Sequence, residues 1–222
     1  MMKTAIVIGA TGLIGKHITK LLLDNPAYSK VKVFVRRSLN ISNPKLEEHI
    51  VNFDEIDNWK TKIIGDELFS AMGTTIRKAK STSIQYKVDV TYQYEVAKAA
   101  SENGVSSYFL VSSSGANAKS KLFYMRIKGE LEDKVQQLPF NKIRIFRPSL
   151  LLGDRPEKRF GEKAAENILK IVVPIFPFLK NQRPIEGEKV ADAMIASANK
   201  EDSDRTKIYE LNEIFGLATA GN

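Results

Sequence analysis

Cysteine is absent from this chain, and it has only two histidines, His17 and His49. With no thiol available, disulfides, a thiolate nucleophile and a cysteine-held metal are all excluded. The two histidines stand apart with no HExxH-type spacing, which argues against a metal site and against a Ser-His-Asp hydrolase. Long hydrophobic runs are missing too, and no stretch reaches the roughly 18 apolar residues of a membrane-spanning helix. The first apolar run breaks at Gly9 and Thr11, with no small-residue cleavage pattern before Lys16. A targeting segment is therefore not expected, and the location expected is cytoplasmic.

Acidic residues are in deficit: 26 Asp and Glu against 34 Lys and Arg, a formal charge of +8. The basic residues are scattered in ones and twos, as in Arg36-Arg37, Arg77-Lys78 and Lys158-Arg159. No basic block is interleaved with aromatics, so no nucleic-acid partner is expected, and most of this charge reads as solvated surface. With 43% hydrophobic residues in 222, the chain can bury one substantial core, and residues 1–222 are expected to form a single domain.

Apolar runs alternate with amphipathic segments. Strands are expected at Ala5–Ile8, Val31–Val35, Ile50–Phe53, Leu68–Met72, Tyr108–Val111 and Ile143–Phe146. Between them the pattern predicts a helix from Gly12 to Leu23, a short helical stretch around Trp59, and helices over Val88–Glu102 and Lys121–Gln137. Val88, Val96, Ala97, Ala99 and Ala100 form the inner side of the third of these. Such alternation predicts a doubly wound α/β parallel sheet, whose ligands lie beyond the carboxyl ends of its strands. Beyond residue 150 the expected elements are a helix over 160–172, a helix near 188–199 and a late strand at Lys207–Leu211, together a small C-terminal cap.

Just after the first strand stands Gly9-Ala-Thr-Gly12-Leu-Ile-Gly15. A strand-loop-helix unit built from small residues brings backbone N–H groups and the positive helix end close to a pyrophosphate. Gly9 permits the sharp strand exit, Gly12 the approach of phosphates, and Gly15 close helix–strand packing. Thr11, Leu13 and Ile14 complete the loop. The ligand expected is a dinucleotide. An acidic residue ending the second strand would bind the ribose hydroxyls of NAD. This chain has Val35-Arg36-Arg37-Ser38 there, and guanidinium groups suit the extra phosphate of NADP(H).

Tyr124 and Lys128 lie four apart on one helix, so phenol and ammonium are neighbours on one face. A nearby cation favours the phenolate, which equips a tyrosine to exchange a proton with a carbonyl or an alcohol. Ser112-Ser-Ser114, at the end of the fifth strand, offers a hydroxyl to the same oxygen.

Taken together, these motifs resemble the short-chain dehydrogenase/reductases of the atypical or extended kind. Met72-Gly-Thr-Thr75, Val88-Asp89, Leu110-Val-Ser-Ser113 with Gly115-Ala116, Tyr124-x-x-x-Lys128-Gly-Glu130 and Phe146-Arg-Pro148 with Leu151-Leu152 are similar to the Tat-interacting-protein-like NADP-binding oxidoreductases. The likeness covers roughly residues 3–155. It implies a Rossmann-like fold binding NADP(H), with Tyr124 as proton donor and acceptor. Lys128 would lower the tyrosine pKa and bind the nicotinamide ribose, and Ser113 or Ser114 would polarise the substrate carbonyl. Phe53 and Asp54 would approach the adenine, Met72, Gly73 and Thr74 the adenosine ribose, and Pro148 to Leu150 the nicotinamide. The chain departs from the pattern in its serine run, which leaves the catalytic serine open, and in the polar stretch Ile76–Gln85.

Substrate choice is expected in residues 149–186, where Arg155, Arg159, Lys180 and Arg183 punctuate Phe160, Ile175, Phe176 and Phe178. The reading that follows is an NADP(H)-dependent oxidoreductase acting on a small carbonyl or alcohol, with a homodimer formed through the helices after strands four and five. The alternatives are an NADP(H)-binding redox sensor without turnover and a nucleotide-sugar epimerase or dehydratase.

Overall fold

The computed structural model of the chain describes residues 2–152, 183–201 and 203–220. Its strands are β1 (Lys3–Ile8), β2 (Tyr28–Val35), β3 (Leu46–Ile50), β4 (Glu67–Ser70), β5 (Ser107–Val111), β6 (Lys142–Phe146), β7 (Leu151–Leu152), β8 (Ile185–Glu186) and β9 (Thr206–Tyr209). Seven of them form one parallel sheet in the order β3-β2-β1-β4-β5-β6-β9, and β7 pairs with β8 separately. The helices are α1 (Gly15–Asp24), α2 (Ile76–Ala79), α3 (Thr82–Tyr86), α4 (Tyr92–Glu102), α5 (Phe123–Gln136), α6 (Gly187–Asn199) and α7 (Leu211–Ala220). The expected doubly wound α/β architecture is what the chain forms, and strand order reverses between β1 and β4.

Both faces of the sheet are covered, which is why its strands read as apolar runs and not as alternating patterns. The side-chain period of two is nonetheless visible in what each residue meets. Ala5, Val7, Val31, Val33 and Phe109 join one core with Ile18 and Leu22 of α1 and Val190 and Met194 of α6. Ile6, Ile8, Phe34, Leu68, Tyr108 and Leu110 join the other with Val96 and Ala100 of α4 and Ile127 and Leu131 of α5. Successive residues of a strand therefore anchor helices on opposite sides.

Two helix C-termini are closed by basic side chains. Lys142 Nζ donates to the carbonyls of Ser197 and Lys200 at 2.9 Å each, at the end of α6. Arg205 donates to Gln136 O at 3.2 Å and Phe140 O at 3.0 Å, at the end of α5. Cations at these positions satisfy carbonyls that the helix leaves unpaired and complement its negative end.

Several boundaries differ from the sequence pattern. The third strand is Leu46–Ile50, ending where the expected strand began, and Phe53–Asn58 is a 3-10 turn. The cause is that β3 is the sheet edge: its Leu-Glu-Glu-His-Ile is half-buried and polar, and apolar runs do not mark it. The polar stretch Ile76–Gln85 is ordered as α2 and α3, whose starts are capped by the Thr75 and Ser81 hydroxyls. From Thr82 the helical path runs on through a π turn at Lys87–Thr91 into α4, so the expected helix begins earlier than Val88. Val88 itself is only half-buried, and Asp89 takes the inner position. Helix α7 and the β7–β8 pair were not foreseen. The expected helix over 160–172 and residues Arg155, Arg159, Phe160, Ile175, Phe176, Phe178 and Lys180 lie outside the described residues.

Phe69 and Phe109 stack at 4.6 Å between ring centroids at the sheet centre, both fully buried. Truncating Phe109 to Ala is expected to cost about 3–5 kcal/mol of unfolding free energy, read by chemical denaturation.

Candidate active site

The exits of β1 and β4 come into backbone contact. Gly9 turns out of β1 with φ +81°, and a Cβ there would lie 2.5 Å from the Ala71 carbonyl and 2.6 Å from Met72 N. Gly12 N–H donates to Gly9 O at 2.8 Å. A Cβ on Gly15 would stand 2.1 Å from that same Gly9 oxygen. The loop is thus wound so tightly that side chains at Gly9 and Gly15 have no space. No side chain caps the start of α1, and backbone carbonyls take its first-turn amides, Lys16 N–H donating to Gly12 O at 3.1 Å and His17 N–H to Ile14 O at 3.0 Å. Thr11 is exposed, Leu13 half-buried and Ile14 buried. Leu13 supports the start of α6, where a Cβ on Gly187 would come within 2.9 Å of its Cγ. The glycine spacing, the tight winding of the loop and its position at the strand-order reversal fit a dinucleotide pyrophosphate.

Ile8 pairs with Phe34 on one side and Ser70 on the other, so Arg36 and Arg37, just beyond β2, flank this loop. Both are exposed and make no ion pair among the described residues. The acids on the neighbouring edge strand are engaged elsewhere. Glu47 meets Lys30 at 2.9 Å and His49 at 2.8 Å, and Glu48 accepts the Leu39 N–H at 2.7 Å. The Lys30 contact holds the Glu47 carboxyl below the usual range. Phe53 is buried edge-on to Trp59. Asp54 follows it, and its carboxylate takes the Lys87 ammonium and the Tyr92 hydroxyl, each at 2.6 Å. Those two partners, Lys87 foremost, keep Asp54 below the ordinary carboxyl range.

The loop leaving β4 links the glycine turn to the Tyr-Lys pair. Met72 is half-buried beside Gly9. A Cβ on Gly73 would reach 3.3 Å from Asp89 Oδ1 and 3.8 Å from Lys128 Nζ. Thr74 N–H donates to Asp89 Oδ2 at 2.9 Å, and Lys128 Nζ stands 2.8 Å from Asp89 Oδ1. Lys128 is buried, with its ammonium 5.8 Å from the Tyr124 ring centre. Burial opposes that charge, yet the Asp89 carboxylate, with Tyr124 beside it, keeps the ammonium above the ordinary lysine range.

The three serines are not equivalent. Ser112 donates to Glu132, a buried carboxylate held by Arg147 through two bonds of 3.0 and 2.6 Å. Ser114 is buried, its amide bonded to Pro148 O at 2.9 Å. Ser113 is half-buried, and its hydroxyl has only a long 3.4 Å contact to the Ser114 carbonyl. Beyond Pro148 the ends of the expected substrate segment are stitched together, with Ser149 Oγ donating to Arg183 O at 2.6 Å and Ile185 N to Leu150 O at 3.0 Å.

A model of the NAD dependent epimerase/dehydratase family matches residues 5–208. The chain belongs to that family. This supports kinship with the extended short-chain dehydrogenases/reductases, an NAD(P)-binding class of oxidoreductase type. Relatives in sequence include the mitochondrial protein FMP52 of Eremothecium gossypii, 35% identical over 98% of both chains. The mitochondrial protein fmp52 of Aspergillus fumigatus is 34% identical over 90% of this chain and 88% of its own. Among solved structures, MoeE5 in complex with UDP-glucuronic acid and NAD gives a TM-score of 0.70 at 16% identity, covering 98% of this chain and 81% of that one. UDP-glucuronic acid 4-epimerase from Bacillus cereus gives 0.67 at 15% identity, covering 94% and 76%.

The cytoplasmic expectation is overturned, because these sequence relatives are named as mitochondrial proteins. It rested on the break in apolar character at Gly9, which is the strand-to-loop turn of the fold and carries no address. Among the described residues no helix is long and apolar enough to cross a membrane.

Asp89 and Glu132 carry charge into this site without having been singled out in the sequence for a role. For Asp89 a signal existed: it lies on the stripe Asp89, Gln93, Val96, Ala97, Ala100, all buried, where an acid needs a partner.

Substituting Gly9 by Ala is expected to force the β1 and β4 exits apart. The positive φ alone costs on the order of 1–3 kcal/mol. Thermal unfolding should register that loss, and calorimetric titration should show dinucleotide binding abolished.

Proposed function

We propose that the protein is an NADP(H)-dependent oxidoreductase acting on a small carbonyl or alcohol, of the kind that the Tat-interacting-protein-like resemblance suggests. The observation that carries this reading is the β4 exit loop, which touches the glycine turn at Gly9 and the Lys128 ammonium at Gly73. A pyrophosphate cradle and a proton-transfer pair would thereby be joined by one short loop. A bound nicotinamide dinucleotide supplies or accepts the hydride. Tyr124 donates a proton to the substrate oxygen in reduction and removes it in oxidation. Ser113, half-buried with a long 3.4 Å contact at its hydroxyl, bonds the same oxygen. Lys128 orients the nicotinamide ribose, and Pro148 to Leu150 border the ring. Met72, Gly73 and Thr74 line the adenosine ribose, with Phe53 and Asp54 toward the adenine. Arg36 and Arg37, exposed and without ionic partners among the described residues, support the choice of NADP(H) over NAD(H). The names of the FMP52 relatives extend the reading to a mitochondrial location.

A second reading has its own support. The family model is that of epimerases and dehydratases, and MoeE5 is recorded with a UDP-sugar and NAD. Interconversion of UDP-sugars without net consumption of dinucleotide would favour it.

NADPH is expected to bind at least about tenfold more tightly than NADH, as charge-assisted bonds to a phosphate warrant. The double variant Arg36→Ala with Arg37→Ala should narrow that gap, and equal affinities in the unaltered protein would remove the arginine reading. In a screen of small carbonyl compounds followed by NADPH absorbance, Tyr124→Phe should lose about 100-fold or more in rate with binding nearly intact. An unchanged rate would end the role given to Tyr124.

A further inference from the structure

The proton-transfer pair rests on a buried acid outside the Ser-Tyr-Lys set. Asp89 and Lys128 side chains are 1% and 4% exposed and 2.8 Å apart. Asp89 is itself held through its second oxygen and its backbone, while Oδ1 accepts no hydrogen bond among the described residues and faces the lysine as an ion pair. It sits in the π turn Lys87–Thr91, a helical irregularity found often at functional sites. Its second oxygen accepts the Thr74 amide at 2.9 Å. Its backbone carbonyl accepts from Gln93 Nε2 at 2.7 Å, and Gln93 in turn accepts the Ser70 hydroxyl of β4 at 2.7 Å. One carboxylate thus ties together the β4 exit loop, the π turn and the lysine of α5.

We propose that Asp89 is a positioning residue for Lys128: it keeps the buried ammonium charged and fixes it beside the loop that lines the dinucleotide groove. This rests on the functional reading above for its consequence in catalysis, though not for the ion pair itself. An isolated ammonium in a dry interior loses its proton readily, by several pH units in the extreme. The charged groups acting on Lys128 are Asp89 from the π turn, with Tyr124 and Glu132 from α5. Burial pulls its pKa down, and Asp89 is the largest influence pushing it up, with a net rise. The sign follows: a lysine raised in the folded state adds stability throughout neutral pH and loses that contribution only as pH climbs past the ordinary lysine range. Glu132 cannot substitute for Asp89, because both its oxygens already face Arg147.

The test is a titration of the Lys128 Cε–Hε resonances in the protein without added dinucleotide, assigned by their loss in Lys128→Met. In the unaltered chain no inflection is expected below the ordinary lysine range, and one below that range would overturn the proposal. In Asp89→Asn the inflection should fall by at least about one unit, and an unchanged value would equally overturn it. Beyond that assignment, the first measurement needs no Asp89 variant to fold. NADPH affinity measured alongside, above the titration of its ribose phosphate at about pH 6, should be flat from about pH 7.5 to about pH 9 in the unaltered chain and weaken across that range in Asp89→Asn. Parallel profiles would reduce Asp89 to a loop tether and overturn the positioning role. Should NADPH fail to bind at any pH, the oxidoreductase reading falls while the Lys128 titration still decides the ion pair.

Discussion

The contact between two backbones at the tips of β1 and β4 is the constraint on which the rest of the site depends. Gly9 lies against Ala71 and Met72 with no space for a Cβ. The chain leaving β4 then runs through Gly73 to Thr74, where it meets Asp89 and Lys128. A turn read from the first twenty residues and a helix pair read from beyond residue 120 are therefore joined by a few residues of backbone. Loosening the first contact would move the loop that positions the second. The strand-order reversal makes this possible, since it opens a crevice at one place along the sheet edge and brings the carboxyl ends of β1 and β4 to its floor.

Two ion pairs built on buried carboxylates, Asp89 with Lys128 and Glu132 with Arg147, serve the same region, while Glu67 and Arg144 are buried elsewhere. Removing one member of a pair such as Asp89–Lys128 would leave the other uncompensated inside the protein, a loss of about 3–5 kcal/mol. Exposed pairs such as Lys60–Asp57 are screened by solvent and weigh little by comparison. The second buried pair, Glu132 with Arg147, accepts the Ser112 hydroxyl and so pins the start of the serine run, while Ser113 is left with only its long contact. A hydrophobic replacement could fill either space at less cost in desolvation. What an ion pair adds is a fixed direction for the groups bonded to it, which suits loops that border a groove.

Sequence pattern captured the strands buried on both faces, because a parallel sheet covered by helices writes each strand as an apolar run. It missed β3 for the opposite reason: an edge strand with Glu47, Glu48 and His49 has no apolar run to show. The glycine spacing was legible because each glycine answers a local steric demand, and Gly9 and Gly15 meet it with clashes that any Cβ would create. Asp89 was less legible. Its role is set by what α5 and the β4 loop bring to it, and sequence carries only the mismatch of an acid on a buried helical stripe. Of the segment 149–186, only its ends are described, and they meet through Ser149–Arg183 and β7–β8.

Likeness of fold does not say which dinucleotide the proposed site would take. The solved structures recorded with NAD share about one residue in six with this chain, too few to carry over the groups that read the adenosine ribose. In the proposed reading that choice falls to the exposed residues just past β2, Arg36 and Arg37. An acid there would accept hydrogen bonds from two ribose hydroxyls and repel a phosphate on the same ribose. Two arginines reverse both preferences, and at the surface their attraction extends over roughly 8–10 Å before salt screens it. Glu47 and Glu48 on β3 are engaged by other groups and form no ion pair with those arginines among the described residues. The proposed cofactor preference is thus a property of two exposed side chains set against an otherwise shared scaffold.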